Sequence, residues 1–376
     1  MVGRVRRRRG WMSDMSATLV FPVSTPDGRA FLRQALERGE RVVGASCDAS
    51  DPTEGAAPWV RLPLVHEPGF LPAFLDLVER HEVTRIHAAA HMVHAALGDI
   101  LREHDLKHLR IINRSALEQE FARWDDIFAR AGRWADLIAA LAPSRPPPEP
   151  TFLAGVIRLA FDLFGESYDD KLAALLACLL EAPEGDMVEI GALFGRSASV
   201  LLSGRNLGGA ERRLFVFDPW CADEGAQQDL PEALQAYTRA AGLERVAHAF
   251  EATFAALAPP GSMGAYRAPS AAGRAIYGGT ADGESVRLLK PRAPLKPAGG
   301  IALLHIDGNH DAPCAAEDVA LWSPLVVPGG WVAIDDYCWR YGDGPKLAGD
   351  ALLKQWGAGV ARAYVAGDCL FIQRAR

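Results

Sequence analysis

At 376 residues the chain exceeds one average domain, and a prior of about 150 residues per domain favours two domains. Hydrophobic residues make up 49% and charged residues 23%, which is enough apolar material for buried cores. The net charge of −7 argues against a general nucleic-acid-binding protein, because such proteins normally present a basic face. We therefore expect a globular protein with no nucleic-acid partner.

The amino terminus carries a strongly basic stretch, Arg4 to Arg9. It lacks the apolar segment of a signal peptide, and blocks of like charge are usually unstructured. We expect residues 1–15 to be a disordered basic tail, and Met12 and Met15 leave open an over-extended start. No apolar run approaches the length of a membrane span, so the prediction is a cytoplasmic protein with no membrane partner.

The cysteines are scattered along the chain, with no C-x-x-C pair among them. Such spacing indicates neither a disulfide scaffold nor a zinc site. We expect ordinary reduced cysteines.

Residues 16–115 alternate between strand-like and helical patterns. Strand-like runs cover Thr18–Val23, Arg41–Ser46, Trp59–Val65, Arg85–Ala90 and Leu109–Ile112, and helical spacing covers Phe31–Arg38 and Phe70–Val83. Strands alternating with helices imply parallel βαβ units, so we predict a small Rossmann-like domain. His87, His91 and His94 lie in an alanine-rich passage with no acidic residue nearby in sequence, and we expect packing or capping roles for them.

This first domain resembles the pre-ATP-grasp domain, the leading Rossmann-like unit of ATP-grasp enzymes. No G-x-G-x-x-G motif follows its first strand, and no ATP-grasp nucleotide-binding domains follow it. We therefore expect no ATP-dependent activity, and the ligand and role of this domain stay open.

Residues 116–150 are predicted to connect two domains. Leu117–Leu141 has a helical pattern, and Pro143–Pro150 reads PSRPPPEP. A proline-rich segment is stiff and extended and often marks a domain boundary. We expect the second domain to cover residues 151–376.

A glycine-rich loop opens the second domain's sheet. Asp186–Gly195 reads DMVEIGALFG, a buried strand followed by a turn and then a helix. The glycines let the backbone turn sharply and approach a ligand at the helix N-terminus. The predicted cofactor-binding residues are Glu189, Gly191, Ala192, Gly195, Ser197 and Asp218.

Two of these residues favour S-adenosylmethionine as the cofactor. Glu189 lies two places before Gly191, where a carboxylate suits the methionine amino group. Asp218 ends the next strand, where such folds place an acid for the ribose hydroxyls. Nicotinamide-binding folds use similar glycine loops, so an oxidoreductase stays a rival interpretation.

The remaining segments predict a doubly wound sheet. Strand-like runs cover Ile301–Ile306, Trp331–Ile334, Arg362–Val365 and Cys369–Gln373, helices cover Ala316–Trp322 and Pro345–Trp356, and Val327–Gly330 is predicted as a turn. A closing antiparallel strand pair is expected in a methyltransferase sheet and not in a plain dehydrogenase domain. Residues 259–300 are rich in Gly, Ala and Pro, and we expect a long loop insertion of open role.

Acidic residues follow two neighbouring strands of this sheet. Asp307 ends one strand, and Asp335 and Asp336 end the next. Adjacent parallel strand ends converge on one crevice, and three carboxylates there repel one another unless a cation neutralises them. Oxygen ligands of this kind suit Mg²⁺, or Mn²⁺ in its place. His310 lies close enough in sequence to act as a general base near neutral pH.

The segment from Met187 onward resembles the metal-dependent O-methyltransferases typified by the macrocin and mycinamicin sugar methyltransferases, and also cephalosporin hydroxylase-type sequences. The resemblance implies that Asp307, Asp335 and Asp336 hold the metal and that His310 is the catalytic histidine. It also implies that the cofactor loop is Glu189–Ser197. His305 lies deeper in its strand, and we expect it to be structural. Trp339 and Tyr341 either line an acceptor pocket or simply pack.

Together these patterns predict a metal-dependent S-adenosylmethionine O-methyltransferase of the class I fold. We expect it to act on a hydroxyl of a sugar or natural-product acceptor. The alternatives are a nicotinamide-dependent oxidoreductase and a non-catalytic cofactor-binding module. The acceptor's identity and a homo-oligomeric state stay open.

Overall fold

A computed structural model describes residues 16–48, 57–223, 227, 231–232, 235–236, 242–289 and 295–376. The expected basic tail over residues 1–15 lies outside the described residues. The chain divides into two compact units, Met1–Asp126 and Ile127–Arg376. The division falls inside a 26-residue helix, Ala116–Leu141, so the proline-rich segment belongs to the second unit.

The first unit contains a five-stranded parallel sheet of order β3-β2-β1-β4-β5. Its strands are β1 Ala17–Phe21, β2 Val42–Ser46, β3 Trp59–Arg61, β4 Val83–Ala88 and β5 Arg110–Ile111, and its helices are α1 Pro26–Glu37, α2 Phe70–His81 and α3 His91–Glu103. Helix α1 begins where the Thr25 hydroxyl accepts a hydrogen bond from the Gly28 N–H at 3.0 Å. The Rossmann-like prediction is confirmed by this parallel α/β arrangement.

His87 differs from expectation because it has an acidic partner. Its ring stacks on Phe31 with centroids 4.0 Å apart, and its Nε2 lies 2.9 Å from Asp27 Oδ2. The two residues are 60 positions apart in sequence, so a local reading could not pair them. The nearby His94 has a backbone partner, with Nε2 2.9 Å from the Asn113 carbonyl oxygen.

The second unit is built on a seven-stranded sheet of order β11-β12-β10-β9-β6-β7-β8. Its strands are β6 Asp186–Ile190, β7 Leu214–Asp218, β8 Met263–Arg267, β9 Ile301–Ile306, β10 Val326–Ile334, β11 Val360–Ala366 and β12 Cys369–Arg374. Strand β12 runs antiparallel to both of its neighbours, and the other described pairings are parallel. The predicted doubly wound sheet with a closing antiparallel pair is confirmed.

The helices of this part of the chain begin with α4, which also enters the first unit. They are α4 Ala116–Leu141, α5 Pro150–Asp162, α6 Asp169–Glu181, α7 Arg196–Gly204, α8 Leu243–Leu257, α9 Ser270–Tyr277, α10 Ala312–Trp322 and α11 Gly344–Trp356. Helix α6 is buried without interruption from Lys171 to Leu180. No helix among the described residues is both long enough and apolar enough to cross a bilayer.

Two sequence expectations in this unit were wrong. Residues 259–300 are not a structureless insertion, since they supply edge strand β8, which pairs with β7, and helix α9. Val327–Gly330 is not a separate turn but part of β10, where the pairing with β9 shifts register between Val326 and Trp331. Gly329, with φ of +83°, permits this irregularity, as glycines do at bulges.

Candidate active site

The strand registers bring the predicted site residues to one edge of the sheet. Ile190 of β6 pairs with Ile306 of β9, and Ile306 also pairs with Ile334 of β10. The next residues continue the ladder: Asp307 N–H donates to the Ile190 carbonyl at 2.8 Å, and Asp335 N–H donates to the Ile306 carbonyl at 2.9 Å. Parallel strands therefore end side by side around β6, where the strand order reverses.

A cavity of about 580 Å³ opens at this edge, within the range typical of small-molecule sites. Eight of the ten predicted site residues line it: Gly191, Ala192, Ser197, Asp218, Asp307, His310, Asp335 and Asp336. Glu189 and Gly195 do not. Further walls come from residues that the sequence did not single out, including Phe164, Tyr168, Lys171, Ser270 and Asp318.

The two loop glycines are required by packing against the protein itself. Gly191 has φ of +79°, and a Cβ there would lie 2.0 Å from the Asp307 carbonyl oxygen. Gly195 has φ of +91°, and a Cβ there would lie 2.3 Å from the Phe254 ring. Both positions thus need glycine for conformation and for space. Gly195 was expected to lie under the ligand, and the structure instead packs it against α8.

Asp218 holds the glycine loop from the end of β7. Its Oδ2 accepts hydrogen bonds from the Ala192 and Leu193 N–H groups at 2.8 and 3.1 Å, and its Oδ1 accepts one from Trp220 N–H at 2.6 Å. The Trp220 indole N–H donates to the Leu193 carbonyl at 2.9 Å. Burial raises the pKa of Asp218, although the three backbone donors oppose that shift. The side chain lines the cavity while it orders the loop.

Glu189 is directed into the sheet and not toward the cavity. Its carboxylate is fully buried, and Oε1 lies 2.9 Å from His305 Nδ1 on the neighbouring strand. Within the described part of the chain, Glu189 Oε2 and His305 Nε2 are buried polar atoms with no hydrogen-bond partner. His305 is fully buried, and its Nε2 lies 3.9 Å from Asp307 Oδ2. The pair forms a polar layer directly behind the acids.

Lys171 is a site residue that the sequence analysis missed. Its side chain is 1% exposed, and Nζ donates to Asp307 Oδ2 at 2.8 Å and also to Asp335 Oδ2. Burial lowers the pKa of Lys171, but the two carboxylates outweigh it and hold that pKa raised. Burial likewise raises the pKa of Asp307, but the ammonium outweighs it and leaves that pKa lowered. A lysine at the head of an otherwise apolar buried helix was the available sequence signal.

Asp336 and His310 form the outer part of the acidic site. His310 Nε2 lies 3.0 Å from Asp336 Oδ2, and its ring meets the Trp339 ring edge-on at 4.7 Å. Burial lowers the pKa of His310, which favours the neutral imidazole. Burial and the Asp307 charge raise the pKa of Asp335 to about 7 and that of Asp336 to about 6. These carboxylates therefore lack full charge compensation from the protein.

Potential metal-ligating atoms in the described residues fall into two overlapping groups. One contains His305, Asp307 and Asp335, and the other contains Asp307, His310 and Asp336. Within each group the ligand atoms lie within 4.8 Å of one another. Asp307 belongs to both, so the three predicted metal acids share one site without forming a single cluster.

A family model matches part of the second unit. Residues 188–337 match the family model described as a methyltransferase domain. No curated protein sequence matches the chain.

Solved structures give weaker likenesses. The chain is similar to the O-methyltransferase NovP, with 18% identity and a TM-score of 0.31, covering 55% of this chain and 80% of NovP. It is similar to the calicheamicin methyltransferase CalS11, with 17% identity and a TM-score of 0.30, covering 70% of this chain and 94% of CalS11. It is also similar to MycE, a methyltransferase of the mycinamycin biosynthetic pathway solved with Mg and SAH. That match has 13% identity and a TM-score of 0.29, and covers 51% of this chain and 45% of MycE.

The family match spans the glycine loop, Asp218, Asp307 and the Asp335–Asp336 pair, and it coincides with the strands that carry the cavity. The sheet adds the closing antiparallel strand β12. The second unit therefore contains a segment that matches a methyltransferase domain, and its sheet has the closing antiparallel strand expected of a methyltransferase.

Proposed function

We propose that this domain transfers the methyl group of S-adenosylmethionine to a hydroxyl of a sugar or natural-product acceptor, with the help of a divalent metal and of His310 as general base. The observation that carries the proposal is the grouping of Asp307, His310 and Asp336 on the wall of the cavity that the glycine loop also borders. The acceptor class rests on the resemblance of the segment from Met187 onward to metal-dependent O-methyltransferases.

The residues at the site fit a divalent cation. Carboxylate oxygens are the ligands that Mg²⁺ and Mn²⁺ prefer. Three carboxylates and the Lys171 ammonium carry a net charge of −2 when all are ionised, which one divalent ion balances. Asp307, Asp335 and Asp336 would hold the ion. When bound, it would lower the pKa of the acceptor hydroxyl and fix its position.

His310 would receive the hydroxyl proton. Asp336 accepts a hydrogen bond from Nε2 when that nitrogen is protonated, which leaves the lone pair on Nδ1. Within the described residues Nδ1 is a buried nitrogen with no hydrogen-bond partner, and the acceptor hydroxyl would supply one. The acceptor oxygen forms its bond to the methyl carbon as the carbon–sulfur bond breaks. The proton passes to the imidazole, and the sulfonium leaves as a neutral thioether.

The cofactor would lie along the glycine loop. Gly191 and Ala192 offer backbone next to the cavity, Ser197 lies in the first turn of α7, and Asp218 faces the same space. In this proposal Asp218 serves the ribose hydroxyls as well as the loop. Glu189 and Gly195 shape the loop from behind and do not contact the cofactor.

The test is turnover with S-adenosylmethionine over a panel of sugar and polyketide hydroxyl acceptors, read by mass spectrometry. We expect EDTA to stop turnover and Mg²⁺ to restore it. His310→Ala should lower kcat by about 10²–10⁴, the usual contribution of a positioned general base, while cofactor affinity in calorimetry stays unchanged. The matched control is His248→Ala, since His248 is an exposed histidine of α8 whose side chain is 68% exposed.

Full activity of His310→Ala would remove the histidine from the mechanism, and EDTA-resistant turnover would remove the metal. Binding of NAD but not of S-adenosylmethionine would favour the oxidoreductase interpretation. Cofactor binding with no turnover on any acceptor would favour a non-catalytic binding module.

A further inference from the structure

We propose that Lys171 is a built-in cation of the acidic site that ties Asp307 to Asp335, so that Asp336 contributes more than Asp335 to holding a divalent metal and His310 keeps its role as the base. The inference rests on the proposed metal dependence and goes beyond it, because it assigns different roles to two adjacent aspartates.

The ammonium of Lys171 is held rigidly in place. The residue lies in the first turn of α6 with its side chain 1% exposed, so no solvent competes for its hydrogen bonds. Its backbone packs tightly on the turn between β11 and β12. A Cβ at Gly367 would lie 2.6 Å from the Lys171 backbone nitrogen, which shows how closely the two segments approach.

The two metal-ligating groups differ in their relation to this ammonium. In the inner group, both carboxylates, Asp307 and Asp335, are already bound by Lys171. A metal there would lie beside a fixed positive charge, and two unit charges about 4 Å apart interact by about 4 kcal/mol at an effective dielectric of 20. The inner group is therefore the unfavourable position for a second cation.

The outer group contains a carboxylate, Asp336, whose partner is His310 and not Lys171. Only Asp307 among its members is bound by Lys171, and all three members are partly exposed at the cavity. Asp336 has φ of +52°, a left-handed conformation that aspartate adopts more readily than most residues. That conformation lets two consecutive residues serve opposite sides of the site, with Asp335 on Lys171 and Asp336 on His310.

The test measures Mn²⁺ affinity of the full chain without cofactor, by electron paramagnetic resonance. We expect Asp336→Asn to weaken Mn²⁺ binding about tenfold or more, because an anionic ligand is lost. Asp335→Asn should weaken it far less, because Asp335 is engaged by Lys171.

Removing the ammonium should change this order. Lys171→Met should tighten Mn²⁺ binding about tenfold or more, because a positive charge leaves the site and Asp335 becomes available. In the Lys171→Met background, Asp335→Asn should then weaken binding as strongly as Asp336→Asn does. The control is Lys346→Met, which removes a half-exposed lysine of α11 paired with Asp350 and should leave Mn²⁺ affinity unchanged.

Equal effects of the two aspartate variants in the wild-type background, or weaker Mn²⁺ binding by folded Lys171→Met, would overturn the inference and leave the proposed function standing. Absence of Mn²⁺ binding to the wild type would overturn both. If Lys171→Met does not fold, the comparison of Asp335→Asn with Asp336→Asn decides alone, since neither variant removes the ammonium.

Discussion

Asp318 offers a quantitative test of how this domain balances burial against charge. The residue lies on α10, lines the cavity and is 6% exposed. Burial raises the pKa of Asp318 to about 6, and a hydrogen bond with Ser270 only partly opposes the shift. Ser270 Oγ in turn accepts a hydrogen bond from the Trp322 indole N–H at 2.9 Å. The carboxylate is thus ionised near neutral pH at a cost to stability.

The size of this cost follows from the two pKa values. An exposed aspartate titrates near 3.8, and the folded value is about 6. The difference corresponds to at most about 3 kcal/mol of unfolding free energy. Because the pKa of Asp318 is higher in the folded chain than in the unfolded chain, ionising this carboxyl group destabilises the fold. The cost is absent below about pH 4, where the carboxyl is protonated in both states, and it develops in full as pH rises through about 6. We expect Asp318→Asn, which cannot ionise, to be more stable than the wild type at pH 7.5.

Thermal unfolding of the cofactor-free chain, followed at pH 7.5 and pH 5.0, measures the effect. In a domain of this size 1 kcal/mol shifts Tm by about 2–4 °C, so Asp318→Asn should gain up to about 10 °C at pH 7.5. The gain should shrink at pH 5.0, where the wild-type carboxyl is protonated. Glu184→Gln is the control, since Glu184 is an exposed acid of the second unit that does not line the cavity. A gain that does not depend on pH would refute the reasoning.

Three further predictions concern the loop and the first unit. Gly191→Ala should lower Tm and abolish S-adenosylmethionine binding in calorimetry, because its Cβ meets backbone 2.0 Å away. Gly209→Ala is its control: φ there is +83° but a Cβ meets nothing within 4 Å, so a much smaller loss of Tm and intact binding are expected. Asp218→Asn should weaken cofactor affinity and cost about 1–3 kcal/mol of stability, since the amide oxygen can replace only one carboxylate oxygen and the NH2 group cannot accept the remaining backbone N–H bond; unchanged calorimetric affinity would contradict this. A fragment of residues 16–142 should give a cooperative melt and no ATP hydrolysis, and phosphate release from ATP would contradict its predicted role.

Local sequence patterns were sufficient for the fold and for the neighbourhood of the site. The sequence predicts the apolar strands that are followed by acidic residues, because strand length and terminal residues are local features. These acids are Asp218, Asp307 and Asp335. Parallel strand ends converge in every sheet of this type, so the sequence alone predicts that the acids lie at one edge of the sheet. Their roles toward cofactor and metal stay predictions.

Strand β8 was not predicted, because its amino-acid composition is not typical of a strand. Strand β8 reads MGAYR within a segment rich in Gly, Ala and Pro, and its identity comes from pairing with β7. The structure also adds to the interpretation of the loop glycine Gly191. The sequence pattern predicted that Gly191 lets the backbone approach a ligand, and the structure shows that the Asp307 carbonyl also occupies the space that a side chain there would need.

Only the tertiary structure decided which charges meet. Lys171 contacts Asp307 and Asp335 across 136 and 164 positions of sequence, a separation at which no periodicity carries information. Alternation along β6 tells which face Glu189 shares, but the sheet order decided that its neighbour is His305 on β9. Burial then sets the energetics, because a charge removed from water must find a partner or shift its pKa. That requirement is met by contacts between distant segments, which exist only once the chain has folded.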